Sequence, residues 1–79
     1  MTDTDDVSGA RALEALAETA YDAMYEAHSQ SAATVCYSDA KEYFYEAIAI
    51  ARRLGAVEDV ARIEARLAHV KAVFRSQFT

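Results

Sequence analysis

Apolar positions recur along this chain every three to four residues in three separate stretches, and that spacing predicts three amphipathic helices. In the first, from about residue 9 to 29, Leu13, Leu16, Ala17, Ala20, Met24 and Ala27 fall on one stripe. Asp5, Asp6 or Ser8 is placed to cap its start, where a side-chain oxygen meets free N–H groups and acids suit the positive end of the helix dipole. Residues 1–8 are polar and acidic, have little to bury, and read as a disordered tail.

The second helix is expected over 38–54, with Ser38 as its N-cap and Asp39 in the first turn. Ala40, Tyr43, Phe44, Ala47 and Ile48, continued by Ile50, Ala51 and Leu54, give it a broad apolar face. Arg52 and Arg53 fall in its last turn, and Gly55 stands where a helix commonly ends in left-handed backbone. The stretch Ser29-Gln30-Ser31-Ala32-Ala33-Thr34 breaks the pattern and reads as a linker, although its alanines could extend a helix. A third helix over 57–77 opens with Glu58 and Asp59 in its first turn. It carries Val60, Ile63, Leu67, Val70 and Phe74 at alternating spacings of three and four. No stretch shows the two-residue period of a strand. Short connections favour antiparallel neighbours, so the expected fold is all-α, an antiparallel three-helix bundle spanning residues 9–79.

Composition changes how such a bundle must be packed. Of 42 apolar residues in a chain of 79, 18 are alanines, which leaves 24 larger ones. Domains this small usually gain stability from disulfides, a bound metal or oligomerisation. Cys36 is the single cysteine, and no cysteine–histidine cluster has the spacing of a zinc site. Close packing across alanines, or self-association, remains. A lone cysteine suits a reducing compartment. Met1 is followed by Thr2-Asp3-Thr4-Asp5-Asp6, the reverse of a basic signal-peptide start, and no long apolar run follows. A cytoplasmic protein with no membrane partner is expected. The net charge of −5 argues against a nucleic-acid partner, since phosphates attract a basic face.

The segment Asp39-Ala40-Lys41-Glu42-Tyr43-Phe44-Tyr45-Glu46-Ala47-Ile48-Ala49-Ile50-Ala51, followed by Arg52-Arg53-Leu54-Gly55, resembles the second helix of a tetratricopeptide repeat. Ala40, Phe44 and Ala47 match that family's spacing, in which alanines let a neighbouring helix approach and the aromatic ring fills the gap beside them. The proline usual after that helix is absent. The preceding helix lacks the tryptophan–leucine–glycine–tyrosine pattern, with Tyr21 and Tyr25 as loose substitutes, and the linker to Tyr37 reads longer than a repeat turn. The resemblance implies a helical hairpin that binds protein and carries no catalysis and no cofactor.

Charge is spread unevenly. Residues 1–50 hold ten acids and two bases, while 51–79 hold three acids and six bases. Glu14, Glu18, Asp22 and Glu26 form a ladder of acids one turn apart, each like-charge pair costing roughly 0.2–0.5 kcal/mol in an isolated helix. Tyr21 and Tyr25 lie between this ladder and the apolar stripe. Acids beside tyrosines form a candidate partner surface for a basic, partly apolar peptide, or for the basic C-terminal half of this chain or of a copy. The plainer reading is a solvated acidic face with tyrosines covering the edge of the core. Arg62 and Arg66, one turn apart on the third helix, are the natural counter-charges. Glu58–Arg62 is also a favourable pair one turn apart and the plainer account of Arg62, and bundle handedness decides whether the arginines meet the first helix of the same chain.

Ala61, Ala65, Ala68 and Ala72 line a second face of the third helix, where small residues admit a close helix contact across a dimer axis or simply favour helix formation. Ala68-His69-Val70-Lys71 offers one alternative of another class, a phosphorelay or ligand-binding bundle using His69. Lys71 follows His69 by two residues where histidine phosphotransfer helices place lysine three on. No metal site is expected, because neither histidine lies three residues after a glutamate. No nucleophile–base pair or phosphate loop is recognisable. The expectation is therefore a small non-enzymatic interaction domain without cofactor or small-molecule ligand, acting on a protein partner or as a homodimer.

Overall fold

The computed structural model describes residues 7–78. Helix α1 runs over Val7–Glu26, α2 over Gln30–Arg53 and α3 over Val57–Gln77, and no strand occurs among the described residues. The fold is all-α, a three-helix bundle. The caps expected at Asp5 and Asp6, and residues 1–6 of the expected tail, lie outside the described residues. Val7 and Ser8, expected in the tail, already belong to α1, so Ser8 is not its cap.

The start of α2 differs most from expectation. Ser29 holds extended backbone (φ −149°, ψ 162°), and its Oγ accepts the Ala32 N–H at 3.0 Å while its carbonyl accepts Ala33 N–H at 3.0 Å. Serine is thus an N-cap here, and the residues after it are helix rather than linker. Thr34 Oγ1 donates to the Gln30 carbonyl at 2.8 Å, one turn back, so a hydroxyl that reads as loop chemistry is satisfied inside the helix. Ala33 is buried against the core. Ser38 and Asp39 are exposed mid-helix positions, not a cap and a first turn. The connection shrinks to residues 27–29, and α1 ends three residues earlier than expected.

The other turn follows the sequence reading. Gly55 has φ +70°, Gly55 N–H reaches the Arg52 carbonyl at 3.1 Å, and Ala56 N–H reaches that of Ala51 at 2.9 Å. This 5→2 and 6→1 pair is the Schellman motif, and it reverses the chain within three residues. Ala56 supplies no side-chain cap to α3, and Glu58 and Asp59 stand in its first turn.

The backbone of α2 lies close to α1 over much of its length and closes on α3 over a shorter stretch. Alanines permit the first approach: Ala17, Ala33, Ala40, Ala47 and Ala51 are at most 1% exposed. Phe44, Met24, Ile63 and Val70 are the largest fully buried side chains and fill the space the alanines leave. Burial of a side chain of this size stabilises the fold by about 1.5–3 kcal/mol. From α3, Ile63, Leu67 and Val70 are buried, and Val60 and Phe74 pack partly against them, as the spacing predicts.

Two expected core positions sit outside it. Leu16 is 48% and Leu54 43% exposed. The close alanine packing narrows the buried stripe of α1, which leaves Leu16 at the solvent edge beside the fully buried Ala17. Leu54 is the C-cap, where the chain already turns away. In their place Ala10 and Tyr21 join the core.

Candidate functional site

The acidic ladder of α1 and the arginines of α3 meet within one chain. Arg62 Nη1 and Nη2 donate to Glu14 Oε2 and Oε1 at 2.6 and 3.0 Å, and Nη2 also reaches Asp59 Oδ1 at 3.3 Å. Arg66 Nε and Nη2 donate to Glu18 Oε2 and Oε1 at 2.7 and 2.8 Å. Both pairs are bidentate, the geometry in which a planar guanidinium matches a carboxylate best. Both guanidinium pKa values are raised, first by the carboxylate hydrogen bond, from Glu14 for Arg62 and from Glu18 for Arg66. Each pair joins residues 48 apart in sequence. The same offset joins Tyr21 to His69, whose rings meet edge-on at 6.5 Å. A constant offset is what two parallel helices in fixed register produce, so α1 and α3 run the same way with α2 antiparallel between them.

Tyr21 is 7% exposed and its hydroxyl lies 3.1 Å from that of Tyr25. Arg66 stands over the Tyr21 ring, its guanidinium carbon 5.1 Å from the centroid. Burial first, and then the bond to Tyr25, push the Tyr21 phenol up to about 12. Of the eight residues expected at a partner surface, Glu14, Glu18, Arg62 and Arg66 are thus engaged with each other and Tyr21 belongs to the core edge. Asp22, Tyr25 and Glu26 remain exposed at the C-terminal end of α1.

Sequence reasoning missed an aromatic path at this end. Tyr25 meets Phe78 edge-on at 5.7 Å, Phe78 stacks on Phe74 at 5.8 Å, and Phe74 stacks on Tyr37 at 3.9 Å with planes 4° apart. Lys41 Nζ lies 4.5 Å over the Tyr37 ring. Gln30 Nε2 donates to the Phe78 carbonyl, which ties the end of α3 to the first turn of α2. These rings cover the end of the bundle. Reading residues 30–37 as helix would have placed Tyr37 on the face opposite Phe74.

A second feature lies between α2 and α3 on the side away from α1. Two clefts of about 360 and 350 Å³ follow one another along the helices and share Arg52 and Glu64 as their common wall. The first is lined by Ala56, Val60 and Ala61, with Val57 at its edge, and the second by Ile48, Leu67 and Ala68. Arg52 Nη2 donates to Glu64 Oε2 at 2.5 Å, and Lys71 Nζ donates to the Tyr45 hydroxyl at 2.8 Å. These two side-chain bridges cross the groove like straps. The Lys71 hydrogen bond lowers the pKa of the Tyr45 phenol. Val57 is 75% and Tyr45 50% exposed at the rims. The groove was not anticipated; the signal for it was the pair of seven-residue intervals, Tyr45 to Arg52 and Glu64 to Lys71.

Ala61, Ala65, Ala68, Ala72 and His69 are exposed on α3. Cys36 is a partly buried thiol within α2, packed against the core. Among the described residues no three histidine, cysteine, aspartate or glutamate side chains gather as a metal site requires, and no helix is long and apolar enough to cross a membrane. Comparison with protein-family models, with curated proteins and with solved structures found no match.

Proposed function

We propose that this chain is a small non-enzymatic interaction domain, binding a protein partner or a second copy of itself. The observation that carries the reading is the groove between α2 and α3. It is an apolar groove of two clefts, crossed by the Arg52–Glu64 and Lys71–Tyr45 bridges, whose second cleft is floored by the buried core residues Ile48 and Leu67 and whose lining holds no residue of α1. Concave apolar surface bordered by a few polar groups is the usual form of a recognition site. The tetratricopeptide-like residues support the same reading, since Ala40, Phe44 and Ala47 are all fully buried where helix meets helix. A cytoplasmic setting belongs to the proposal, supported by the single cysteine left as a thiol.

Two measurements test it. Light scattering on a sizing column across micromolar concentrations reads self-association, and amide-shift mapping with added helical peptides reads contact with a partner. A mass that rises with concentration, or amide shifts centred on Ile48, Leu67 and Ala68, supports the reading. A chain that stays monomeric and shows no shift with any peptide overturns it.

A further inference from the structure

Resting on the reading of the chain as an interaction domain, we infer that the α2–α3 groove receives an amphipathic helix of a protein partner, one that carries two acidic residues seven positions apart on either side of an apolar pair.

The dimensions favour a helix. The lining of the two clefts runs along α3 from Val57 to Lys71, which at 1.5 Å per residue is roughly 21 Å, the length of about four helical turns. The floor is made of small and branched side chains, Ala56, Val60, Ala61 and Ala68 among them, so that a helix can lie low between α2 and α3.

The charges set the pattern. The molecule carries −5 overall, yet the charged side chains lining the groove are Arg52, Lys71 and Glu64, one cation in excess. Lys71 is partnered by a neutral phenol, whose bond a carboxylate would replace with a charge-assisted one. Arg52 reaches Glu64 through Nη2, and a guanidinium has five N–H donors, enough to hold a second carboxylate beside the first. The Arg52 and Lys71 straps stand one heptad apart, because Tyr45 precedes Arg52 by seven residues and Glu64 precedes Lys71 by seven. That interval is roughly 10.5 Å along a helix, the separation of two acids at i and i+7. Between the straps lie Ile48 and Leu67, which call for apolar residues at i+3 and i+4 of the partner.

A second copy of this chain fits less well. Its one pair of acids seven apart within a helix is Asp39 and Glu46, and the positions between them include Glu42 and the partly buried Tyr43. The acid ladder of α1 has spacings of four, and its first two members are held by Arg62 and Arg66.

The test uses the full chain, isotope-labelled, and two peptides of about 15 residues. The peptides are identical except for glutamate or lysine at two positions seven apart, with leucines between. The glutamate peptide is expected to shift the amides of Ile48, Leu67, Ala68 and Lys71, to bind about tenfold more tightly than the lysine peptide, and to weaken with added salt. Lys71→Glu reverses the preference, and Arg52→Gln, should the first variant lose helicity, reduces it. Equal binding of the two peptides, or shifts centred on Tyr25 and Glu26, overturns the inference. Binding of the lysine peptide in the groove sinks the acidic partner and leaves the interaction domain standing. No shift with either peptide, together with a strict monomer by light scattering, removes both.

Discussion

Helix α3 meets its two neighbours by different means. Toward α1 it is tied by two bidentate arginine–glutamate pairs, Arg62–Glu14 and Arg66–Glu18, that keep one register along the contact. Toward α2 its buried edge of Ile63, Leu67 and Val70 packs apolar surface, while its outer edge carries only single-bond straps over an open groove. Alanine-lined surfaces serve where backbones come close, as between α1 and α2. Long charged side chains serve where two helices must be held across a wider gap. The sewn face is committed to the fold, and the strapped face is available.

The comparison can be broken most severely from its shared wall. Phe44→Ala removes the largest fully buried side chain, which α2 presents to the common core, and is expected to destabilise the fold by about 3–5 kcal/mol in chemical denaturation. A loss below about 1 kcal/mol would mean that the core does not join the two faces.

A smaller effect sharpens the difference between seam and strap. Arg66→Ala should cost about 1 kcal/mol, near the upper end for a partly exposed pair, because its geometry is bidentate and its side chain is 39% exposed. A double-mutant cycle with Glu18→Ala should recover most of that as coupling. Arg52→Ala, whose side chain is 63% exposed, should stay within about 0.5 kcal/mol. Equal losses for Arg66 and Arg52 would erase the distinction.

The last difference is spectroscopic and shows only in alkali. The raised Tyr21 phenol keeps its proton in the folded chain between the ordinary value of 10.0 and about 12, where the unfolded chain has lost it. Its contribution to stability is therefore complete below pH 10 and declines as the pH rises through that window. Tyr45, lowered by Lys71, moves the other way: its phenolate is favoured in the fold, so it adds stability as alkali rises. Ultraviolet titration should show a late phenol lost in Tyr21→Phe and an early one lost in Tyr45→Phe. A late phenol that persists in Tyr21→Phe contradicts the buried Tyr21–Tyr25 contact.

Much of the architecture was legible because it depends on local chemistry. The third helix, the Gly55 turn and the buried trio Ala40, Phe44 and Ala47 follow from periodicity and from glycine's access to positive φ. The beginning of α2 was misread because Ser29, Ser31 and Thr34 compete for backbone bonds in ways that serve a cap, a helix and a loop equally well. Tertiary packing decided among them, through the burial of Ala33 and the stacking of Tyr37 on Phe74. The charged residues of the seam were identified, and their partners lay among the options the sequence left open. What fixed the choice was the register of α1 against α3, a property of the whole bundle. The groove likewise follows from register: it is the shape left between two helices, and the seven-residue intervals from Tyr45 to Arg52 and from Glu64 to Lys71 gain their meaning only once α2 and α3 are paired.

The offset of 48 residues in the seam also bears on the order of events during folding. Residues 27–29 join α1 to α2 and residues 54–56 join α2 to α3, so each hairpin closes a short loop at little entropic cost. Whichever forms first, Glu14 and Glu18 cannot meet Arg62 and Arg66 until both have closed. The ionic seam is then expected to act as a latch, so that Arg66→Ala speeds unfolding and leaves the folding rate little changed in denaturant-jump kinetics.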